Sequence, residues 1–441
     1  MTRSEEPIHI RDPIHGTIRL SEQELSVVDT VAYQRLRGIK QLGFADMAFP
    51  GATHSRYSHS LGAIEMAGQM FDAMFPVDAS PFSSQVRNRF RQTVRLASLL
   101  HDIGHPPLSH TTEFAMPLRK ELGLPCFTEE ENNSKASHED YTIKLVLHSE
   151  LGDKLKKLFG DQGICPEDIC FLLTGYFADR ANSFCSKGIN FGPLLSQILS
   201  GELDADRMDY LQRDSYYAGV SYGRFDEQWL LNNLTFHIVD DLACLALSYR
   251  AIFAFEDFLL SRYHMFVSVY YHHTSVGFDS MLGRYFEESR GEVSIPTDAE
   301  EYVNFDDLSL WSALRASKNR WAKRIVGRHA YRRLLELNAE EGNVDLAGLR
   351  NSLTEAGVDH FVARDESILS RYYGNGDPKT TIFVVNKTLG RAIRLEEYSK
   401  LFERYAQPTR LTRFYCHPDH MEQAKKCLEK YALDPQSDLP L

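Results

Sequence analysis

Long apolar runs are absent from this sequence of 441 residues. No stretch of about eighteen apolar residues occurs, and a membrane-spanning helix needs that length. The first residues are polar and charged, unlike the apolar stretch of a secretion signal. We therefore expect a cytoplasmic protein with no membrane partner.

Cysteine is scarce, and positive charge is not in excess. Seven cysteines occur without a C-x-x-C pair, which argues against a zinc finger, and a disulfide framework has no support in a chain of this length. The formal net charge of −12 argues against broad, non-specific binding to nucleic acid. Small anionic substrates stay compatible with this charge, because a local cluster of arginine, histidine and metal reverses the field inside a cleft.

Helical periodicity dominates what the sequence does contain. Apolar residues recur at steps of three and four within 61–75 and again within 90–100, which predicts two amphipathic helices. The second helix is expected to end near Gly104, just before a pair of prolines. Alternating patterns around turn residues predict β-hairpins over 8–20 and 234–249.

The pattern changes in the last part of the chain. Three short strands are predicted over 380–385, 391–395 and 411–416, followed by a helix over 418–431. The polar, acidic segment 291–308 is predicted to be a loop.

One compact core seldom holds a chain of this length, so we expect two regions. Residues 1–290 would form a mainly helical catalytic core that includes the N-terminal hairpin. Residues 291–441 would form a helical linker region and a small α+β C-terminal lobe.

The densest run of chemically active side chains is LLHDIGHPPLSH, residues 99–110. His101 and Asp102 are adjacent at a helix end, and their side chains would point about 100° apart and grip one ion from two sides. An imidazole with a carboxylate suits Fe, Mn or Zn and does not select among them. An isolated His-Asp pair is more often a surface or capping contact. Here the neighbouring leucines indicate burial, where an unpaired carboxylate would be costly.

This run resembles the signature of the HD superfamily, whose metal ligands follow the order His, His-Asp, Asp. The first ligand would lie in PGATHSRYSHSLG, residues 50–62, and the last in GELDADRMDYLQRD, residues 201–214. The resemblance implies a mainly α fold built on an HD-domain helical core with short N-terminal and internal β-hairpins. It also implies a divalent metal, with Mg²⁺ as an ion that accompanies a triphosphate. The implied metal ligands are His59, His101, Asp102 and Asp206.

More narrowly, the sequence is similar to the dNTP triphosphohydrolase branch of that superfamily. The similarity includes YQRLRGIKQLG at 33–43, KTLGRAIR at 387–394 and RFYC at 413–416, and it extends over residues 8–431. Vertebrate members join a SAM domain to the HD domain, and we expect no SAM domain here. The resemblance implies metal-dependent hydrolysis of a dNTP to the deoxynucleoside and tripolyphosphate.

Rival branches of the superfamily fit less well. Cyclic-dinucleotide phosphodiesterases carry a Gly-Tyr-Pro signature, which the Gly-Tyr-Phe at 175–177 does not match. Hydrolases of guanosine tetraphosphate carry His-Asp-x-x-Glu-Asp, where this sequence has HDIGH at 101–105. Two alternatives remain open: an HD phosphohydrolase for another nucleotide or a phosphomonoester, and a nucleotide-responsive scaffold or single-stranded nucleic-acid binder with little turnover.

Three histidines and a glutamate are the implied catalytic residues beside the metal. In the resembling family the counterparts of His105, His110 and His138 hold the α-phosphate or donate a proton to the leaving 5′ oxygen. We assign His110 as the general acid, because an alkoxide leaving group gains most from protonation. Glu113 is predicted to orient the His110 ring, although the family usually has Asp there. Three other histidines are interpreted as hydrogen-bonded core residues: His54, His237 and His420.

The resemblance also implies a substrate-binding set. Guanidinium groups donate paired hydrogen bonds to phosphate, whereas tyrosine, aspartate and glutamine would contact the sugar and base. Asp206, Tyr210 and Asp214 are spaced four apart and so share a helix face, which without the resemblance would indicate an ordinary polar face. The implied substrate-binding residues are Gln41, Leu42, Arg56, Arg207, Tyr210, Asp214, Arg262, Tyr270 and His272.

Asp29, Gln34 and Arg37 correspond to a regulatory site for GTP or dGTP in some members. An aspartate accepts hydrogen bonds from guanine N1 and N2, which gives the choice a physical reason. The same residues are equally compatible with a solvated helix that Asp29 caps. The family also leads us to expect a homo-oligomer, either a dimer or a tetramer.

Overall fold

The computed structural model describes residues 7–338, 345–367, 380–399, 401 and 409–430. The α-helices, numbered in chain order, are α1 (Glu22–Val28), α2 (Val31–Gln34), α3 (Arg56–Met74), α4 (Ser84–Leu100), α5 (Arg119–Leu122), α6 (His138–His148), α7 (Glu150–Phe159), α8 (Pro166–Thr174), α9 (Gly192–Leu199), α10 (Ala205–Ala218), α11 (Glu227–Asn232), α12 (Ile252–Met265), α13 (His273–Glu288), α14 (Ala299–Tyr302), α15 (Asp307–Ala316), α16 (Arg320–Val326), α17 (Leu346–Glu355), α18 (Leu395–Tyr398) and α19 (Met421–Glu429).

Some further segments are helical without being α-helices, and four of them contribute to the site described below. Two 3₁₀ helices, Arg35–Gly38 and Ala45–Met47, follow α2, and a third, Ser109–Ala115, follows α4. α12 continues as a π-helical segment, Phe266–Tyr270. Single-turn π segments often occur at functional sites.

The strands, numbered in the same way, are β1 (Ile8–Asp12), β2 (Gly16–Leu20), β3 (Cys185–Ser186), β4 (Ile189–Asn190), β5 (Leu234–Val239), β6 (Leu242–Ser248), β7 (Arg332–Asn338), β8 (His360–Ser367), β9 (Phe383–Asn386), β10 (Arg391–Arg394) and β11 (Thr409–Cys416). They form a β1–β2 hairpin, a sheet in the order β10–β9–β6–β4–β3 with β5 paired to β6, and a sheet in the order β7–β11–β8.

Capping residues define where the helices of the core begin. Ser21 caps α1 in a reciprocal capping box with Glu24. Ser83 and Asp204 accept hydrogen bonds from backbone N–H groups in the first turns of α4 and α10. No helix among the described residues combines the length and hydropathy that a bilayer crossing requires.

The predicted apolar stripes lie in one continuous core. Ile64 and Phe71 of α3 pack with Phe90 and Val94 of α4, and all four are fully buried. α3 also packs against α10, so these three helices form the frame that carries the functional residues. Both predicted helices are confirmed.

The two predicted hairpins are also confirmed. β1 pairs antiparallel with β2 from Ile8 opposite Leu20, and β5 pairs antiparallel with β6. The turn between β5 and β6 places Asp240 and Asp241 at φ 49° and 61°, a left-handed conformation that aspartate tolerates in turns.

The last three predicted strands form, but they do not share one sheet. β9 and β10 pair with each other, and β9 runs parallel to β6 in the sheet of the helical core. β11 lies between β7 and β8 in a separate sheet that packs on α17 and α19. Ile382 and Val384 are buried in the main core, which explains why this hairpin leaves the C-terminal lobe.

The prediction of a loop over 291–308 is wrong in part, because α14 lies inside the segment and α15 begins there. The acidic residues that suggested a solvated loop act as helix caps. Asp298 accepts hydrogen bonds from the N–H groups of Glu300 and Glu301, and Asp306 accepts one from Ser309.

Candidate active site

A cleft of about 780 Å³ opens in the helical core. Its walls come from α10, from α12 with its π-helical continuation, and from the loops after α2 and α4. Most of the predicted site residues line it: Gln41, Leu42, Arg56, His101, Asp102, His105, His110, His138, Asp206, Arg207, Tyr210, Asp214, Arg262 and Tyr270.

The four predicted metal ligands converge at the base of the cleft. His59 Nε2, on α3, lies 3.2 Å from His101 Nε2 and 2.9 Å from Asp206 Oδ1 on α10. Asp102 directly follows His101 at the end of α4. Its carboxylate oxygens lie 3.6 Å from His59 Nε2 and 3.4 Å from His101 Nε2. His59, His101 and Asp102 could together hold one metal ion, and Asp206 Oδ1 lies beside both imidazoles.

The electrostatics of the cluster favour a cation among these side chains. Burial alone would lower the pKa of His59, but hydrogen bonds with Asp206 and Asp209 raise it to about 10. The pKa of His101 is also raised, against its burial, by Asp102 and Asp206. Burial would raise the pKa of Asp206, yet the two imidazoles hold it below its usual range. Two imidazoles and two carboxylates are a donor set that fits Fe, Mn or Zn.

His59 is oriented by residues that the sequence analysis missed. Its Nδ1 lies 2.7 Å from Asp209 Oδ2, and Asp209 also accepts hydrogen bonds from Arg213 at 2.9 and 2.8 Å. His15 Nε2 lies 2.6 Å from the same carboxylate, and Arg213 donates to Asp12. A carboxylate behind a metal-binding imidazole fixes the ring and its tautomer. The turn of the β1–β2 hairpin therefore supports the candidate metal site.

A second cluster, of three histidines and Glu113, adjoins the metal centre. His105 Nε2 lies 3.2 Å from Asp102 Oδ1, and the His105 ring stacks on His138 at 3.9 Å. Glu113 contacts Nδ1 of both His110, at 2.9 Å, and His138. These two contacts outweigh burial and hold the pKa of Glu113 well below its usual range.

The individual histidines of this cluster differ in exposure. His105 is buried, and burial together with Arg56 and His138 keeps its pKa well below the usual value. The ring is therefore neutral and can accept a hydrogen bond at one nitrogen. The side chain of His110 is 67% exposed, so it is accessible to a ligand.

Backbone strain occurs where the chain carries His110 into the cleft. Leu108 and Ser109 both have φ 58°, a conformation that non-glycine residues rarely adopt. Asp307 of α15 accepts a hydrogen bond from the Leu108 N–H at 2.6 Å, and the Ser109 hydroxyl donates to Lys40 O at 2.6 Å. Strained backbone persists where its surroundings hold it, and it concentrates at functional sites.

Gly104 allows α6 to approach the His-Asp turn closely. A Cβ at Gly104 would lie 2.0 Å from His138 O and 2.3 Å from Thr142 N, both backbone atoms. We expect Gly104→Ala to destabilise the protein by about 1–3 kcal/mol through overpacking, measured by urea unfolding. Turnover should fall too, since His138 must move. Gly283→Ala is the matched control, because a Cβ there meets no atom within 4 Å. Equal stability of the two variants would contradict this explanation.

Two of the predicted phosphate-binding arginines share one carboxylate. Glu202, a buried residue absent from our predictions, accepts a hydrogen bond from Arg262 at 2.8 Å and lies 3.3 Å from Arg207. Arg56 instead donates to Asp102 at 2.5 Å and to Ser109 at 2.7 Å. Glu202 lies two residues before Asp204, the cap of α10, and no sequence pattern distinguishes it from an acidic residue on the surface.

The remaining predicted contacts surround a polar part of the cleft. Tyr270 donates to Asp214 Oδ2 at 2.8 Å, and His54 Nε2 lies 2.7 Å from the other oxygen of that carboxylate. His54 is buried and hydrogen-bonded, as expected. Buried polar atoms without a hydrogen-bond partner in the described structure include Gln41 Oε1, Arg262 Nε and His105 Nδ1. Buried polar atoms are normally satisfied, so this group indicates a polar ligand.

His272 does not line the cleft with the other predicted residues. It caps α13 by accepting a hydrogen bond from Thr274 N, and its ring packs against Phe49 at 5.2 Å. His272 comes one residue after Tyr271, which ends the π-helical segment, and the chain leaves the cleft at this point.

The predicted regulatory residues, at the end of α1 and around α2, are not among the residues that line the cleft. Gln34 accepts a hydrogen bond from Arg37 at 2.7 Å, and the Arg37 guanidinium lies 3.5 Å above the Tyr57 ring. Asp29 is exposed and ends α1, whereas Thr30 caps α2. The interpretation of Asp29 as the helix cap is therefore wrong. No hydrogen bond in the described structure joins Asp29 to the other two residues.

Two family models match the part of the chain that forms this fold and cleft. The family model described as HD domain matches residues 56–214, and the one described as HD associated region matches residues 225–371. The protein belongs to the HD superfamily.

Individual proteins and one crystal structure are similar to a larger part of this chain than the family models match. An uncharacterized protein of Methanocaldococcus jannaschii is 32% identical over 74% of this chain, which spans 59% of that protein. The Dictyostelium discoideum homologue of the deoxynucleoside triphosphate triphosphohydrolase SAMHD1 is 26% identical over 97% of this chain and 81% of its own length. The crystal structure of a hypothetical protein from Aquifex aeolicus covers 96% of this chain and 100% of its own, at 29% identity and a TM-score of 0.71.

Proposed function

We propose that the protein hydrolyses deoxynucleoside triphosphates to the deoxynucleoside and tripolyphosphate. The observation that carries this proposal is the convergence, in one cleft, of the His/Asp cluster, the His/Glu cluster and arginines. The similarity to triphosphohydrolases named for dNTPs gives the substrate class.

The metal ligands would be His59, His101, Asp102 and Asp206. When bound, a divalent cation stabilises charge on a phosphoryl oxygen by Lewis-acid action. Asp209 would hold the His59 ring with Nε2 facing the ion. Mg²⁺ would accompany the triphosphate.

The neighbouring cluster would supply proton transfer at the 5′ oxygen. His110 is exposed to the cleft and is our proposed general acid, with Glu113 orienting its ring and that of His138. A general acid must lie within reach of the leaving oxygen, and the contacts with Glu113 fix the orientation of both rings. Neutral His105, between this cluster and Asp102, would position the α-phosphate.

The arginines and the polar wall would bind the rest of the nucleotide. Arg56, Arg207 and Arg262 would contact the phosphates, with Glu202 holding the last two in place. The sugar and base would be contacted by Gln41, Leu42, Tyr210, Asp214 and Tyr270. Of the predicted substrate-binding residues, only His272 is not among the residues that line the cleft.

Product analysis tests the proposal. Each dNTP is incubated with Mn²⁺, Fe²⁺ or Mg²⁺, and the products are separated by chromatography. We expect deoxynucleoside and tripolyphosphate in equal amounts. Pyrophosphate with a monophosphate, or orthophosphate as the first product, would contradict the proposal and favour an HD phosphohydrolase for another nucleotide or phosphomonoester. Absence of turnover with every dNTP would favour a scaffold or nucleic-acid binder.

We further propose that GTP or dGTP binds near Asp29, Gln34 and Arg37 and favours a more active homo-oligomer. Because these residues do not line the cleft, the ligand would act by binding one assembly state more tightly. A preference of about 100-fold shifts that equilibrium by about 2.7 kcal/mol.

The regulatory prediction is that GTP raises the rate of dATP hydrolysis and the mass of the particle. Arg37→Ala should reduce both effects while leaving metal content unchanged, since it removes the cation that contacts the Tyr57 ring. Arg250→Ala is the matched control, because Arg250 is an exposed arginine near the ring of Tyr249. Rates and light-scattering masses are measured with and without GTP. Identical values in the wild-type protein would mean that the three residues are structural.

A further inference from the structure

The segment that contains α14 and α15 lies against the backbone of the turn after α4. Tyr302, the last residue of α14, donates a hydrogen bond to Gly104 O at 2.7 Å. Asp307, the first residue of α15, accepts a hydrogen bond from the Leu108 N–H at 2.6 Å. Both side chains are buried. The α14–α15 segment therefore binds this turn at two points that are four residues apart.

Arg35 adds a third connection between the α14–α15 segment and the turn. Its guanidinium donates to Phe305 O at 2.8 Å, in the link between α14 and α15. It also donates to His105 O at 2.8 Å and to Ile103 O at 3.2 Å, and it lies 4.3 Å above the Tyr302 ring. One buried cation thus fixes the link between the two helices against the turn.

The second carboxylate oxygen of Asp307 binds a different part of the cleft wall. Oδ1 accepts the N–H of Leu108, whereas Oδ2 accepts the N–H of Lys40 at 3.0 Å. Lys40 directly precedes Gln41, and Leu108 lies two residues before His110. Gln41 and His110 both line the cleft. One carboxylate therefore joins the Gln41 segment (residues 39–42) to the His110 segment (residues 107–110).

The spacing of these two segments depends on few contacts. Besides Asp307, the Ser109 hydroxyl joins them by donating to Lys40 O at 2.6 Å, and it accepts from Arg56 at 2.7 Å. Leu108 and Ser109 are both in the left-handed conformation, which costs energy for these residues. Surrounding contacts must therefore hold the His110 segment in its observed shape.

The contacts of Asp307 require a carboxylate and are not those of a helix cap. Asp306 caps α15 by accepting a hydrogen bond from the Ser309 N–H. Burial raises the pKa of Asp307 to about 6, and the N–H groups of Leu108 and Lys40 oppose that shift. The group is therefore ionised at neutral pH and accepts at both oxygens. An asparagine would offer one acceptor oxygen and turn an NH₂ group towards the other N–H.

We propose that the α14–α15 segment, acting through Asp307, positions the Gln41 segment and the His110 segment relative to each other. Asp307 does not line the cleft, so it acts through these backbones. For its effect on turnover the inference rests on the function proposed above, in which Gln41 contacts the nucleotide and His110 protonates the leaving oxygen. A general acid works only within hydrogen-bond reach of that oxygen. A displacement of about 1 Å can cost about 100-fold in rate.

Asp307→Asn tests the proposal in the full chain. We expect kcat for a dNTP to fall about 100-fold and KM to rise, because both segments shift. Metal content, measured by elemental analysis, should not change, since the hydrogen bonds of Asp307 go to the backbone of Leu108 and Lys40. Asp306→Ala is the matched control. It removes the cap of α15 and should also lower Tm, but it should keep the wild-type kcat and KM.

Hydrogen exchange gives a second measurement that does not depend on the reaction. The amides of Lys40 and Leu108 should exchange faster in Asp307→Asn and at the wild-type rate in Asp306→Ala. If Asp307→Asn does not fold, Tyr302→Phe replaces it, because this change removes only the hydroxyl that donates to Gly104 O. It should lower kcat about two- to tenfold, as expected for one hydrogen bond, again with unchanged metal content.

Three results would overturn the proposal. They are wild-type exchange at both amides in Asp307→Asn, a wild-type kcat despite faster exchange there, and an equal loss of kcat in Asp306→Ala. The last would show that general destabilisation explains the loss. Absence of dNTP turnover in the wild-type protein would instead contradict the proposed function, and exchange at the two amides would then decide whether Asp307 holds both segments.

Discussion

Asp206→Ala should abolish both metal retention and dNTP turnover. Asp206 Oδ1 lies 2.9 Å from His59 Nε2 and 3.5 Å from His101 Nε2, so its carboxylate reaches the centre of the proposed ligand set. Altering groups that merely support a ligand costs about 10- to 100-fold in metal affinity. Losing the ligand itself should cost more, about 100-fold or greater. Metal content is measured by elemental analysis after dialysis, and turnover by chromatography.

The matched control for this variant is Asp153→Ala. Asp153 is an aspartate on α7 whose side chain is 89% exposed, and its nearest cation is Lys156 at 3.8 Å. It should keep full metal content and activity. Circular dichroism of both variants checks that each is folded. Unchanged stoichiometric metal in Asp206→Ala would show that the proposed site is wrong.

His110→Ala should lower kcat by about 10²- to 10⁴-fold, the usual contribution of a general acid. KM should change little, because the proposed task of His110 is confined to the transition state. The ring is accessible to the cleft, and Glu113 holds its Nδ1 at 2.9 Å, which leaves Nε2 to face a leaving oxygen. Steady-state kinetics with a dNTP give both constants.

His148→Ala is the control for the removal of an imidazole, since His148 ends α6 and does not line the cleft. It should match the wild-type protein in both constants. A rise of KM alone in His110→Ala would show that His110 positions phosphate and that another group protonates the leaving oxygen. His138 would then be the next candidate, because Glu113 contacts it in the same way.

The helical frame and the proposed metal ligands, in the order His, His-Asp, Asp, were predictable because the sequence patterns that indicate them are local. Apolar steps of three and four predicted α3 and α4, and the structure buries those residues in one core. The run from His101 to His110 carries several ionisable groups within ten residues, which few structural roles require. The resemblance then supplied His59 and Asp206, and the fold brings all four proposed ligands together.

The sequence-based prediction failed where one residue type is common in two kinds of local structure. The acidic segment 291–308 was predicted to be a loop, yet Asp298 and Asp306 begin helices. Carboxylates are common both in solvated loops and at helix N-termini, where they accept backbone N–H hydrogen bonds. Composition alone does not separate the two. For the same reason Asp29 was considered as an alternative helix cap, whereas Thr30 beside it accepts that hydrogen bond.

The sequence by itself indicated the class of the protein, its helical frame and the proposed metal ligands, because each of these signals is carried by short local motifs. Only the tertiary structure decided which groups support those residues. Asp209 lies 150 positions from His59, and Arg213 lies 201 positions from Asp12, yet hydrogen bonds join both pairs. Glu202 and Arg262 meet across 60 positions. The amino-acid sequence does not show whether a given carboxylate is buried or solvated. Their partners are fixed by how the helices pack, and that packing brings together residues that no local pattern connects.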